Sequence, residues 1–506
     1  MSSTEATRQV GPLASGVPAQ AHVGEHPLAL YFLFFTEMWE RFSYYGMRAL
    51  LVYYMMKHIL LDRWKDAVLG HNAIIGGLTK VFGTMDHDAQ SSQIYGLYTA
   101  FVYLTPLAGG LLADKLIGQR RSVYIGGLIM AAGQFVLMND RWFYIGMLLL
   151  IIGNGFFKPN ISTQVGALYP PGDERRDRAF MIFYVGINVG ALLAPLVCGT
   201  LGETVGWAYG FGSAGVGMLL GLVIYTFGQR YLPPDNMMKQ KASQVADARA
   251  GRAEDTGKPA PFTRAEWGRM IGLCVLCALN VVWWGVYEQQ GNTLAKWADQ
   301  NTDRVLLGWT VPGSWLQAVN PAMIFLFTPI IIGHWKRQAA VGKEPSSVAK
   351  MAIGCFALAV GFALMAIAAV VSGGHQASVL WLVGATILLT LGELYLSPVG
   401  LSLVTKVAPA RVVSMMMGIW FLSSFLGNYL QGYLGTYWSK MPKVSFFLML
   451  SGLAIGAGVA MLAVMIPLKK ALGGSDPAGS TPEPLDDGVL HPGIPGKADD
   501  AKTSAA

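Results

Sequence analysis

Apolar segments long enough to cross a lipid bilayer recur along almost the whole chain. A bilayer core about 30 Å thick takes about 20 residues of α-helix, and each of these segments meets that length. The recurrence predicts an all-α integral membrane protein with twelve transmembrane helices. The predicted spans are centred near residues 43, 102, 131, 155, 188, 219, 280, 328, 361, 391, 423 and 456.

A polar stretch over residues 231–266 divides the spans into two sets of six. It contains Pro233, Pro234 and many charged residues, so it is typical of a linker. Two six-helix bundles joined in this way can rock around a central site. The predicted organisation is a disordered N-terminal tail (1–27), an N-terminal bundle (28–230), a cytoplasmic linker (231–266), a C-terminal bundle (267–470) and a disordered C-terminal tail (471–506).

Composition supports a membrane protein and gives it an orientation. Of 506 residues, 53% are hydrophobic and only 13% are charged, whereas about a quarter of a soluble protein is charged. The net charge of +7 does not indicate a nucleic-acid partner, because the basic residues lie in short loops between spans. Placing both termini in the cytoplasm puts most of these loops inside, as the positive-inside rule requires.

The first span is unusual because it carries four ionisable residues. Glu37, Arg41, Tyr45 and Arg48 recur at helical spacing and share one face, with Glu40 beside it. Each charge costs about 2.5–3.5 kcal/mol to insert, so the face should meet a partner or a water-filled cavity. The pattern favours the wall of a substrate and ion pathway. An internal ion pair that only joins helices is the alternative.

Two motifs carry a resemblance to a known family. The pattern E-x-x-E-R-F-x-Y-Y-G over residues 37–46 resembles the first-helix signature of the proton-dependent oligopeptide transporters, which belong to the major facilitator superfamily. The loop over residues 110–121 resembles the cytoplasmic motif of that superfamily, where Asp114 is expected to take part in gating. The resemblance implies the major facilitator fold and symport of protons with di- and tripeptides by alternating access. It also implies a monomer with no cofactor other than the coupling proton.

Two further charged residues lie deep in apolar spans. Lys158 precedes Pro159 in the middle of span 4 and is too central to reach the bilayer surface. Glu393 is the lone carboxylate of span 10. An unpaired carboxylate there would protonate, whereas a ligand ammonium nearby would keep it charged. A peptide is a zwitterion, so opposite charges on two walls would suit its two ends.

The resemblance assigns roles to particular residues. Arg41 and Lys158 are expected to receive the peptide carboxylate and Glu393 the amine, while Asn188 and Asn320 hold the backbone. Aromatic residues supply walls for unspecified side chains. The full substrate set is Arg41, Tyr44, Tyr45, Tyr103, Lys158, Asn188, Trp284, Asn320, Glu393, Trp420 and Ser424.

Proton coupling and gating are assigned to charged residues of the same network. Glu37 and Glu40 are the candidate proton carriers, working with Arg41 and Lys158, because a substrate that competes for the bases changes how readily the carboxylates protonate. Arg48 lies further along the first helix than Arg41, at a depth that Glu288 of span 7 also reaches. A bridge between Arg48 and Glu288 is predicted to close the outer mouth.

The resemblance also places the protein in a cell. Residues 372–378 between spans 9 and 10 leave no room for the large extracellular domain of mammalian members. The linker is too short and polar for the two additional helices of many prokaryotic members. We therefore expect a bacterial inner-membrane protein with twelve spans and both termini inside.

Three other functions stay open at this point. A relative that moves nitrate or another anion would not need Glu37, Glu40 and Glu393 together. A nutrient sensor with the same fold would bind peptides without transporting them. A membrane enzyme is disfavoured because the spans hold no aspartate pair, and Cys274 and Cys277 lie in an apolar helix without a second metal-ligand pair.

Overall fold

The computed structural model describes residues 13–471 apart from residues 15, 64–65, 171, 236–261 and 307. Within this part the chain is almost entirely helical, with fourteen α-helices. They are α1 (Leu28–Tyr54), α2 (His71–Phe82), α3 (His87–Leu112), α4 (Gln119–Val136), α5 (Phe143–Gly166), α6 (Arg175–Ala194), α7 (Trp207–Gly228), α8 (Arg264–Tyr287), α9 (Thr293–Gln300), α10 (Val319–Ala340), α11 (Ser347–Val371), α12 (Val379–Val407), α13 (Val413–Gly435) and α14 (Lys443–Ala471).

Six two-residue strands form three small pairs outside the helices. The first and third pairs are antiparallel, whereas the second joins two distant loops in parallel. The strands are β1 (His22–Val23), β2 (His26–Pro27), β3 (Thr302–Asp303), β4 (Val305–Leu306), β5 (Trp309–Thr310) and β6 (Ala377–Ser378).

Every predicted span centre falls within a long helix. In the described part, all helices except α2 and α9 have at least 18 residues. Nine long helices combine that length with the hydropathy of a membrane span. The other three are α1, α4 and α13. Helix α1 carries the four ionisable residues noted above, and α4 begins with Arg120 and Arg121.

Buried hydrophobic residues form two large cores. One draws only on residues 29–232 and the other only on residues 270–461. We call residues 28–231 the N-half and residues 264–471 the C-half. The C-half begins three residues before the predicted boundary at 267, because Thr263 caps α8 through a reciprocal pair of hydrogen bonds with Glu266.

The two halves meet along two seams, where α3 packs on α13 and α6 packs on α10. Glycines make the first seam close: Gly96 and Gly432 approach so tightly that neither has room for a Cβ. Small residues allow helix backbones to approach in this way within a membrane. The seams define the space between the halves in which a site can lie.

The segment before α1 differs from the prediction of a disordered tail over residues 1–27. Its described residues pack against the N-half instead. Gln20 accepts a hydrogen bond from the backbone N–H of Ala29 at 2.8 Å and donates one to the carbonyl of Tyr231 at 3.0 Å. His26 lies 2.8 Å from the hydroxyl of Tyr169. Most of the linker and the predicted C-terminal tail lie outside the described residues.

This segment also contains a titratable group outside the spans. Burial lowers the pKa of His26 from its ordinary value, and the positive charges of Arg178 and Arg175 lower it further. The imidazole is therefore held in its neutral form against Tyr169 near neutral pH.

Candidate substrate site between the two halves

A cavity of about 190 Å³ lies between the halves. Its wall includes eight residues that the sequence assigned to substrate binding or gating, four from each half. They are Tyr45, Arg48, Tyr103 and Asn188 from the N-half, and Trp284, Glu288, Asn320 and Glu393 from the C-half.

Glu393 is held by neutral donors on the C-half side of the cavity. The Tyr287 hydroxyl donates to its Oε2, and Asn320 Nδ2 donates to the same oxygen at 3.0 Å. Asn320 Nδ2 also lies 3.0 Å from Thr390 Oγ1. No described residue forms an ion pair with Glu393. A half-buried carboxylate that has hydrogen bonds and no cation partner can bind a cation from outside the protein.

Asn188 lines the opposite wall on α6. Its Nδ2 donates to the carbonyl of Tyr184 in the preceding turn at 2.9 Å. One face of the amide is therefore used within the helix. Asn188 also lines the cavity, so part of its side chain borders the space that a ligand would occupy.

Arg48 and Glu288 form an ion pair across the two halves. Arg48 Nε also donates to the Tyr95 hydroxyl at 2.6 Å. Both charged side chains are largely buried, yet both line the cavity. The pair therefore lies in the cavity wall, and a ligand in the cavity would contact it.

A second layer of contacts joins the halves beyond this pair. Lys57 Nζ lies 2.6 Å from Asp299 Oδ1, and Arg304 lies 3.1 Å from the same oxygen. Glu203 of the N-half accepts backbone hydrogen bonds from Gly313 at 3.0 Å and Ser314 at 2.9 Å. Lys57 is nine residues beyond Arg48, which is roughly 13 Å along a helix. The connection between the halves thus continues past Arg48 and Glu288.

The charged cluster of α1 is internally paired. Arg41 NH2 donates to Glu40 Oε1 at 2.6 Å while its Nε contacts the other carboxylate oxygen. Glu37 Oε1 lies 3.3 Å from Arg41 Nε. Glu37 Oε2 is buried, and none of the described residues forms a hydrogen bond with it. Arg41 also reaches Asn154 Oδ1 at 3.5 Å. The cluster therefore holds one guanidinium between two carboxylates.

Lys158 has no hydrogen bond or ion pair from its amine in the part of the chain that the structure describes. It lies near enough to Glu37 and Arg41 for their charges to interact. Neither Lys158 nor Arg41 is among the residues that line the cavity. The Lys158 amine therefore lies beside the α1 cluster without a partner among the described residues.

Three aromatic or hydroxyl residues assigned to the substrate site lie away from the cavity wall. Tyr44 is buried, with the guanidinium of Arg41 over its ring at 5.0 Å. Trp420 is buried against Gly400, which has no room for a Cβ there. Ser424 is also buried. None of these three residues is among those that line the cavity.

Asp114, to which the resemblance assigned a part in gating, is not among the residues that line the cavity. It lies in the π-helical turn Ala113–Ile117 after α3 and accepts a hydrogen bond from Gln119 Nε2 at 3.4 Å. The start of α4 is capped from elsewhere, because Asp235 accepts the backbone N–H of Arg120 at 2.8 Å. Asp235 follows α7 and was not singled out by the sequence.

Sequence reasoning also missed Tyr287 and Tyr184, which line the cavity. Tyr287 lies between Trp284 and Glu288, which were both assigned to the site, so its position in the sequence could have indicated that it faces the same space. Tyr184 stands four residues before Asn188 on the same helical face.

Comparisons with known proteins fit this arrangement. The profile of the POT family matches residues 120–269 and 262–449. The chain is 34% identical to an uncharacterized transporter, YclF, of Bacillus subtilis, over 91% of this chain and 98% of the relative. It is 32% identical to a di-/tripeptide transporter of Lactococcus lactis, over 88% of this chain and 97% of the relative.

Solved structures agree. A crystal structure of the peptide transporter POT in complex with sulfate superposes with a TM-score of 0.76 at 32% identity, covering 90% of this chain and 98% of that one. The chain therefore belongs to the POT family of peptide transporters. It is a multi-pass membrane protein with the fold of that family.

Proposed function

We propose that this chain is a proton-coupled symporter that imports di- and tripeptides by alternating access. The observation that carries the proposal is the cavity between the halves, where Glu393 presents a carboxylate that has no cation partner among the described residues. The name of the Lactococcus relative supports the same substrate class. An anion carrier would gain nothing from such a group, since a negative wall repels its substrate.

In this proposal the peptide lies between opposite charges. Its ammonium pairs with Glu393, and its carboxylate turns towards Lys158 and the α1 cluster. Asn188 binds the backbone between these ends. Because the recognised groups are common to all short peptides, side-chain selectivity is broad. Longer peptides are excluded because both charged walls must be reached.

Proton coupling follows because the peptide carboxylate competes with the carboxylates of α1 for the basic side chains Arg41 and Lys158. Glu37 and Glu40 share the guanidinium of Arg41, and the amine of Lys158 has no ion-pair partner among the described residues. A substrate carboxylate that draws the bases away leaves a carboxylate of α1 without its counter-ion, which favours its protonation. One positive charge moving inward releases about 2.3 kcal/mol per 100 mV, more than the roughly 1.4 kcal/mol of a tenfold concentration ratio.

Alternating access is supported by the distribution of contacts between the halves. The hydrogen bonds and ion pairs described above, from Arg48 with Glu288 to Lys57 with Asp299, gather at one end of the cavity. We assign that end to the outside, so the conformation is closed outward. Opening requires these contacts to break while others form at the opposite end.

The remaining assignments complete the proposal. The twelve long helices form twelve membrane spans in two six-helix bundles, with both termini in the cytoplasm and the basic loops inside. The protein acts as a monomer in a bacterial inner membrane. It needs no cofactor, because the proton is its coupling ion.

The test is uptake of labelled di-alanine into proteoliposomes. An acidic exterior and a negative interior potential should drive accumulation, and a protonophore should abolish it. Unlabelled dipeptides and tripeptides should compete, whereas tetrapeptides, single amino acids and nitrate should not. Peptide binding without uptake would indicate a sensor, and competition by nitrate would indicate an anion carrier.

A further inference from the structure

The two oxygens of Glu393 have different surroundings. Oε2 receives hydrogen bonds from both Tyr287 and Asn320. Oε1 receives none from the described residues, and it is not among their solvent-inaccessible polar atoms. Since Glu393 lines the cavity, Oε1 is the oxygen that faces it.

Tyr287 is held in place on two sides. Its ring stacks on Trp283 with centroids 4.6 Å apart and an angle of 11° between the planes. It meets Trp284 edge-on at 5.7 Å. These contacts fix the position of the phenol oxygen, because a tyrosine has only two side-chain torsions.

The hydrogen of the phenol is also directed. Asn320 Nδ2, which is a donor only, lies 3.1 Å from the Tyr287 oxygen. The phenol oxygen accepts there, so its single hydrogen is left to donate to Glu393. A hydrogen bond to a charged acceptor is stronger than one between neutral groups. Tyr287 and Asn320 therefore clamp Oε2 and fix the rotation of the carboxylate.

We propose that Tyr287 is a positioning residue for amine recognition: it holds Oε2 of Glu393 so that Oε1 is presented to the ammonium group of the ligand. This inference rests on the proposed function, since it needs Glu393 to bind an amine. It also gives Asn320 a new role, as a second donor to the carboxylate in place of a contact with the peptide backbone.

The test compares di-alanine with N-acetyl-di-alanine as competitors of labelled peptide binding to the purified full-length protein. Tyr287→Phe keeps the ring stacking and removes only the hydroxyl. It should weaken di-alanine about tenfold, the size expected for one lost charge-assisted hydrogen bond, and N-acetyl-di-alanine less than about twofold. Tyr184→Phe, another cavity tyrosine, should affect both ligands equally.

A double-variant cycle separates positioning from general damage. In a Glu393→Gln background the added Tyr287→Phe change should cost less than about twofold, because the charged acceptor is gone. Asn320→Ala, which removes the other donor to Oε2, should show the same selectivity for the free amine and decides the matter if Tyr287→Phe does not fold. Equal losses for both ligands, no loss at all, or a full additional loss in the Glu393→Gln background would overturn the inference.

The result is distinguishable from failure of the proposed function. If the unaltered protein neither binds nor transports di-alanine, the proposed function fails. If it does both and Tyr287→Phe and Asn320→Ala lack the expected selectivity, only the positioning role fails.

Discussion

Two carboxylate clusters of the same protein are satisfied in different ways. In α1, Glu37 and Glu40 share the guanidinium of Arg41, so both carboxylates have a cation of the protein beside them without any ligand. On α12, Glu393 is held by the neutral donors Tyr287 and Asn320. The first arrangement suits a group that exchanges a proton when its cation is drawn away. The second suits a group that binds the cationic group of a ligand.

The two sites also differ in burial. Glu37 and Glu40 are buried away from the cavity, whereas Glu393 is half-buried in the cavity wall. The role of a carboxylate depends on its partner, because a buried charge with no counter-ion costs more free energy to keep ionised than a paired one. Four experiments test this distinction, beginning with the one for which we expect the largest effect.

The largest effect is expected from Glu40→Gln. This change removes the carboxylate that contacts Arg41 through both oxygens. Proposed proton binding at Glu40 can then no longer alter its ion pair with Arg41. Gradient-driven accumulation of di-alanine in proteoliposomes should fall at least about 100-fold, whereas exchange of labelled for unlabelled peptide without a gradient should persist. Accumulation that survives in Glu40→Gln would show that the α1 cluster does not couple the proton.

Glu393→Gln addresses the other cluster. Loss of the charge should weaken binding of di-alanine about 10- to 100-fold, because a charge-assisted contact is replaced by a neutral one. N-acetyl-di-alanine, which has no ammonium, should lose less than about twofold. Equal weakening of both ligands, measured by competition, would make Glu393 structural and remove the contrast with α1.

Lys158→Gln tests where the peptide carboxylate goes. The amine of Lys158 has no partner among the described residues, so its removal breaks no ion pair within them. Binding of di-alanine should weaken about tenfold, and binding of the same dipeptide with an amidated C-terminus should change little. If the amidated peptide weakens as much, Lys158 does not receive the carboxylate.

The smallest effect is expected from Lys57→Ala, set against Glu288→Gln. Lys57 is 39% exposed, so its pair with Asp299 should contribute no more than about 1 kcal/mol to the closed outer end. The buried pair of Arg48 and Glu288 should contribute more. Glu288→Gln should therefore shift the population outward by about tenfold and Lys57→Ala by less than about fivefold.

Spin labels at the exposed residues Val205 and Val305, which lie at the end that we assign to the outside, can report this shift once the four native cysteines are replaced. Pulsed dipolar spectroscopy would give the distance between the labels in the closed and in the open conformation, and the population of each. A larger shift in Lys57→Ala than in Glu288→Gln would place the main outer closure in the second layer of contacts.

The sequence alone was enough for features that depend on local composition. The recurrence of apolar runs located the long helices, because the cost of exposing a backbone to lipid forces each such run into a helix. The charges of α1 were visible since they interrupt an apolar run, and the same contrast marked Lys158 and Glu393. The E-x-x-E-R-F-x-Y-Y-G motif led to the family that the comparisons then showed.

Only the tertiary structure decided which charges are paired. Helical spacing brought Glu37 and Arg41 together, but the main partner of Arg41 is its neighbour Glu40, reached by rotation of two long side chains. Tyr287 and Glu393 are 106 residues apart, and Asp235 caps a helix 115 residues away. Such contacts depend on how the helices pack, and helix packing has no periodic signature in the chain. The sequence thus determined where the charged groups lie along each helix, and packing determined which of them a ligand can reach.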